Sequence, residues 1–272
     1  MDTQNPFYGS IALEAEEVAE AHGLGLFVAN SHLRDGKEEY YLSQFEQQRV
    51  RGVLVTPSGA DLDQHRATAH RGTPVVLVDS VDPEEGFCTI VVDDHYGGYL
   101  AVDHLIGLGR TRILVVGGPP HFRQVGRRHA GALAAAEGRG VELAYLEAPD
   151  MTILAGRAIG EQILRTMSPI PDAIFAMNDL LATGLLQALV MNRGVRVPEN
   201  IALIGYDDID FCANAIVPIS SVRQPSAELG RRAVELLEAE IDDGRTHEHV
   251  SVVLKPVLVV RQSTAGTAAT QG

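Results

Sequence analysis

The chain of 272 residues contains no tryptophan, two cysteines and 5% aromatic residues in all. Two thiols, Cys88 and Cys212, are too few for a disulfide framework, and each lies beside a strand-like apolar run where a buried free thiol is the default. A reducing cytoplasm fits that usage. Cationic side chains are scarce too: 22 Lys and Arg stand against 36 Asp and Glu, a formal net charge of -14. Phosphate contacts need clustered Lys and Arg, so the chain is not expected to grip DNA by itself. No apolar run approaches the ~20 residues of a membrane span. Met1 is followed by Asp2 and not by a basic segment leading into an apolar one, so neither membrane association nor export is expected.

What the chain does hold is 45% hydrophobic residues, enough for a real core in one or two domains, arranged as strand patterns alternating with helical ones. A helix is predicted over 11–22, with Ala12, Ala15, Val18 and Ala19 on one face, then a strand over 24–29 ended by Asn30. Helix 38–49 leads to strand 53–55 closed by Thr56, and helix 61–70 to strand 75–78 closed by Asp79. Strand 89–92 runs through Asp93 into helix 96–108 and opens a second series that ends near residue 220. Helix 228–241 has no series of its own and has to pack back onto an existing sheet. The segment 263–272, rich in Thr, Ala and Gly, reads as a frayed tail.

The most informative stretch is 171–225. Its two successive strand-loop-helix units place Asn178 and the pair Asp207-Asp208 where apolar runs end. In open parallel sheets the carboxyl ends of the strands are where ligands bind.

Around that stretch stand Asn5-Pro6-Phe7-Tyr8, Gly52-Val53-Leu54-Val55, TIVVD at 89–93, RILVVG at 112–117, Arg128-His129-Ala130-Gly131 and LVVRQST at 258–264. Each of these is weak alone, but the ordered set is highly specific and covers essentially the whole chain. It resembles the effector-binding core of the lactose-repressor/galactose-repressor (LacI/GalR) family of bacterial transcription regulators.

The resemblance implies an α/β fold of two Rossmann-like subdomains with parallel sheets, a periplasmic-binding-protein-like type I clamp with a three-segment hinge. The subdomains are expected over 1–92 plus 224–252 and over 93–223 plus 253–264, with 265–272 a disordered tail. The hinge is placed near Val92, Asp93, Arg223 and Val253; such crossovers favour closure around a ligand. The family's helix-turn-helix headpiece is not expected within these residues. In the family a first β-strand runs directly into the Asn-Pro-Phe motif, whereas only residues 1–4 precede Asn5. That strand is therefore expected to be missing, with the native product continuing upstream.

The resemblance also implies the site. Phe7 and Tyr8 match an aromatic pair that lies against the ligand, where ring faces suit sugar C-H groups or a planar base; the alternative is core packing. Arg128 matches a ligand-contacting arginine whose fork can hold vicinal hydroxyls or a carboxylate, with Arg127 as the register competitor. Asn178 and Asp207 correspond to polar contacts from the second subdomain, although both also stand where a helix N-cap belongs. Asn30, Thr56 and Asp79 end strands of the first subdomain and can complete the site or serve as caps. Gln224 and Asp93 can couple closure to binding. Met151 stands where relatives often carry an aromatic that covers the ligand. Replacing Arg128 or Asp207 by Ala is expected to abolish effector binding with fold and dimer intact.

Enzyme readings find less support. Asp207, Asp208 and Asp210 describe a solvated turn as well as a Mg2+ cluster. Asp93, Asp94, His95 and His104 make no convincing metal set, and paired His/Cys spacing, a nucleophile elbow and a Walker loop are not seen. VVGGPP at 115–120 is broken by its prolines. The expected function is that of the effector-sensing, homodimeric core of a DNA-binding repressor that takes a sugar or sugar derivative in the cleft between its subdomains. It needs no cofactor and no metal, and it meets operator DNA only through the headpiece. The alternative is a solute-binding protein of a sugar transporter.

Overall fold

The computed structural model describes residues 4–31, 36–57, 59, 61–192 and 194–265. The chain divides into two units, 1–92 with 225–254, and 93–224 with the chain from Lys255 on. It therefore crosses from one to the other at Val92/Asp93, Gln224/Pro225 and Leu254/Lys255.

The first unit is built on a parallel sheet of β1 (Val53–Val55), β2 (Val75–Val78), β3 (Cys88–Val92) and β9 (Ser251–Leu254), in that order. Val53 pairs with Val75, Val76 with Cys88 and Val91 with Val253. β2 reads Val-Val-Leu-Val and every residue is buried, as a strand covered on both faces requires. Side chains alternate between those faces. Val75 and Leu77 pack with Leu42 of α2 (Lys37–Gln47) and with Phe87. Val76 and Cys88 pack with Leu237 of α9 (Ser226–Asp243). α9, predicted to return to an existing sheet, does so, and lies beside α1 (Pro6–Ala21). α3 (Asp63–His70) completes the unit.

Two expectations change here. α1 begins at Pro6, five residues earlier than the apolar spacing suggested, because Asn5 Oδ1 accepts a hydrogen bond from the Phe7 N–H at 3.1 Å and Pro6 takes the first helical position. Residues 24–29 form no strand. A strand needs partner backbone about 4.8 Å away, and an apolar pocket lined by Ile11, Ala15, Leu26, Val28, Val53 and Val55 occupies the space among α1, β1 and this segment. β1 is consequently the edge of its sheet among the described residues.

The second unit carries a sheet ordered β10 (Val257–Val259), β8 (Ser220–Arg223), β7 (Ala202–Asp207), β6 (Ala173–Ala176), β4 (Arg112–Gly117), β5 (Glu142–Glu147). All neighbours are parallel except β10 and β8, so the sheet has one antiparallel edge. α4 (Asp94–Gly107) and α5 (Arg123–Ala136) supply Val102, Leu105, Val125 and Ala132 to a core shared with Phe175, Ile204 and Tyr206 of the sheet. α6 (Ile153–Thr166) and α7 (Asp179–Met191) pack against each other. α8 (Asp210–Ala213) is a single turn after β7.

The chain's last described turn, α10 (Gln262–Ala265), is not frayed as the composition suggested. Ser263 is fully buried; its hydroxyl donates to the Leu203 carbonyl at 2.6 Å and accepts from the Ser220 N–H at 2.8 Å. Residues 266–272 lie outside the described residues.

The boundaries also shift slightly. Gln224 groups with the second unit through its bond to Asp207, and 253–254 with the first through β9, so the third crossing follows Leu254 rather than residue 252. No described helix is long and apolar enough to cross a membrane.

Candidate functional site

The carboxyl end of the second unit's parallel strands brings together a buried polar cluster. Arg128 projects from α5, with 6% of its surface exposed. Its Nε donates to Asp94 Oδ1 at 2.9 Å and its terminal nitrogen to the Met177 carbonyl, just past β6, at 2.7 Å. The guanidinium carbon lies 3.7 Å from the Tyr206 ring centre. Tyr206 in turn donates its hydroxyl to Asp94 Oδ1 at 3.3 Å, and Arg123 reaches Asp94 Oδ2 at 3.3 Å. A buried guanidinium is tolerable only when paired and hydrogen-bonded, and these partners meet that condition.

Glycines permit the approach. A Cβ on Gly98 of α4 would collide with the Arg128 carbonyl, and one on Gly131 of α5 with the His95 carbonyl. The close α4/α5 contact is what brings Asp94 and Arg128 face to face.

Asp207 ends β7 at φ +108° and Asp208 follows at φ +59°, both in the left-handed region that non-glycine residues seldom occupy. The backbone is held there by side-chain bonds. Gln224 donates to Asp207 Oδ1 at 2.7 Å, and Asp208 accepts from Arg223 at 2.7 Å and Arg261 at 2.5 Å. Asp207 Oδ1 is 4.0 Å from the Arg128 terminal nitrogen. Gln224 Oε1 is buried and has no hydrogen-bond partner among the described residues.

Beneath this layer lies Asp179, fully buried, accepting from the Ser221 hydroxyl at 2.8 Å and the Ile209 N–H at 2.9 Å. Burial first, and the neighbouring Asp207 charge second, push its carboxyl far above the ordinary carboxylate range.

In the first unit, the Tyr8 hydroxyl donates to Asp79 Oδ2 at 3.2 Å. Asp79 ends β2 at φ +56° and is buried. Thr56, after β1, is also buried, and its Oγ1 has no hydrogen-bond partner among the described residues. Phe7 is 4% exposed and meets Tyr8 edge-on at 5.1 Å between ring centres, so it acts here as a core residue that seats Tyr8. Asn30 is half-buried on the irregular segment before residue 32.

The remaining candidates have scaffold roles. Asn178 accepts from the Leu181 N–H at 2.8 Å as the cap of α7 and donates to the Met151 carbonyl at 2.9 Å. Both ends of its amide are thus engaged with the backbone. Met151 packs on the second unit's core. Asp93 caps α4 through the Tyr96 N–H at 3.1 Å, Val92 is buried at the end of β3, and Val253 is paired within β9. Asp94, Tyr206 and Asp179 were not singled out for the site from the sequence. Asp94 follows Asp93 directly, and only the helix start decides which carboxylate caps and which turns inward.

The chain has known relatives. Residues 102–264 match the family described as periplasmic binding protein-like domain. The transcriptional regulator DegA of Bacillus subtilis is 30% identical over 97% of this chain and 79% of its own length. The ribose operon repressor of the same organism is 30% identical over 87% of this chain and 70% of its own. A LacI family regulator from Enterococcus faecium, solved with bound ribose, superposes with a TM-score of 0.87 at 26% identity, covering 97% of this chain and 96% of that one. The chain belongs to the LacI family of transcriptional regulators, of which it spans the effector-binding core.

Proposed function

We propose that the chain senses a small sugar or sugar derivative through Arg128, Asp207 and Gln224, and that occupancy sets the operator affinity of a cytoplasmic, homodimeric regulator. The observation that carries this reading is the Arg128, Asp207 and Gln224 cluster, with Gln224 Oε1 a buried acceptor that has no donor among the described residues. Such an acceptor is costly to leave unmade, and a polyol hydroxyl supplies the donor while Arg128 and Asp207 fix neighbouring hydroxyls. The bound ribose of the Enterococcus faecium relative supports the ligand class. The family's regulators, rather than transport receptors, supply the role. Effector and operator need only differential affinity to be coupled, typically by ~1 to 3 kcal/mol.

The test is a thermal-shift screen of pentoses, hexoses and their phosphates, followed by calorimetry on hits. A ligand that raises the melting temperature and loses affinity with Asp207→Asn supports the reading. Unchanged affinity in that variant overturns the site.

A further inference from the structure

The first unit holds a second cluster of chemically reactive side chains. Cys88 opens β3, Glu240 lies near the end of α9, and His247 and His249 stand on the link between α9 and β9. One ligand atom from each of the four falls within 4.8 Å of every other. His247 Nε2 is 3.1 Å from Cys88 Sγ, and the two imidazole rings cross at 71° with centres 5.4 Å apart. Glu240 Oε2 is buried and has no hydrogen-bond partner among the described residues.

We propose that Cys88, Glu240, His247 and His249 bind one zinc ion. A thiolate, two imidazoles and a carboxylate are a borderline-soft donor set that suits a tetrahedral zinc and not the all-oxygen shells of calcium or magnesium. Donor atoms in such a shell lie roughly 3.3 to 3.7 Å apart, from bond lengths of about 2.0 to 2.3 Å, so small side-chain rotations would close the cluster.

The surroundings fit the same ion. His247 Nδ1 is 3.0 Å from Asp243 Oδ2, one α9 turn from Glu240. A carboxylate on the far nitrogen of a metal-bound histidine orients the ring and strengthens the ligand. The bound ion would also give the partly buried Glu240 carboxylate a partner for Oε2.

Asp243, His247 and Cys88 also line up as a carboxylate-imidazole-thiol relay, the layout of a cysteine nucleophile. Two features oppose that use. Cys88 has no exposed surface, and burial raises its thiol above the ordinary range, opposite to the thiolate character an attacking sulfur needs. A metal reached from the side of exposed His249 has no such difficulty.

The set forms no local sequence motif, because Cys88 and His247 are 159 positions apart. Zinc there would fasten the end of α9 and the lead into β9 onto β3, just ahead of the third crossing. This proposal is independent of the effector reading.

The experiment uses the untagged full chain, stripped with chelator and refilled with Zn2+ or Co2+. Expected are about one metal per chain by elemental analysis and, with cobalt, a near-ultraviolet thiolate-to-metal charge-transfer band. Zinc should raise the melting temperature. Cys88→Ser should lose the charge-transfer band, and His249→Ala, a change at an exposed position, should weaken zinc at least ~10-fold with the apo melting temperature unchanged. Absence of stoichiometric metal in the parent, or equal binding and equal zinc-induced shifts in both variants, would overturn the proposal and leave a hydrogen-bonded cluster.

Discussion

Arg128 lies with its guanidinium carbon 3.7 Å from the centre of the Tyr206 ring. Because the same group bonds Asp94 and the Met177 carbonyl, the residue is both scaffold and candidate ligand contact. Removing it leaves the buried Asp94 with Arg123 and the Tyr206 hydroxyl, both at 3.3 Å, as its remaining side-chain partners in the cluster. Arg128→Ala should therefore lower the unfolding free energy by ~3 to 5 kcal/mol, the usual effect of halving a buried pair, measured by urea denaturation. The sequence-based expectation that this change spares the fold gives way to that argument. Arg128→Lys should fail as well, since an ammonium cannot serve two acceptors and a ring face in one plane.

Asp207→Asn is the cleaner probe. Asparagine tolerates the left-handed backbone found at this position, so the melting temperature should hold within a few degrees. Effector affinity should drop at least about tenfold with the loss of a charged acceptor, a bond worth ~1.5 to 3 kcal/mol. Calorimetry on the parent and the variant reads the difference.

Asp179 gives the second unit a pH-dependent stability. Its carboxyl titrates near 4 in an unfolded chain and is pushed up to about 8 in the fold by burial and by Asp207. Between those values the folded chain binds more protons than the unfolded one, so this group makes stability fall as pH rises through the window. Asp179→Asn should flatten the melting temperature across pH 5 to 8 relative to the parent. Asp207→Asn should flatten it in part, because it removes the second cause.

Gly131→Ala should separate α4 from α5, since the added methyl meets the His95 carbonyl. The expected cost is ~1 to 3 kcal/mol, accompanied by weaker effector binding as Asp94 and Arg128 part. Normal affinity in a folded Gly131→Ala protein would argue that the Asp94 contact does not position Arg128.

Asn178→Asp keeps the acceptor that caps α7 and deletes the donor to Met151, whereas Asn178→Ala deletes both. The alanine variant should lose ~1 kcal/mol as a missing cap, and the aspartate variant less. If Asn178 instead bonds the effector directly, both will lose affinity by more than they lose stability.

Much of this was legible in the sequence because its signals are local. Val75 to Val78, all apolar and β-branched or leucine, can hardly be anything but a covered strand, and the helix from 228 showed its buried stripe through Leu229, Ala233 and Leu237. Arg128, Asp207 and Gln224 were named in advance, and the structure brings them together within the second unit. What could not be read depends on contacts between distant segments. Asp94 turns inward only because two glycine-bearing helices meet, and Tyr206 looked like any strand residue until Arg128 was placed over it. Residues 24–29 have a strand's composition, yet a ladder needs a neighbour and this segment finds none. Ser263 was read as tail from its composition, while its buried hydroxyl ties it to β7.

The outer side of β1 has a practical consequence. Its backbone groups have no strand beside them among the described residues, and nearby Phe27 and Val28 are 70% and 52% exposed. Open strand edges flanked by apolar side chains recruit other chains by backbone pairing. Light scattering from this polypeptide should rise steeply with concentration, and a charged residue in place of Phe27 should raise the solubility ceiling without touching the effector site.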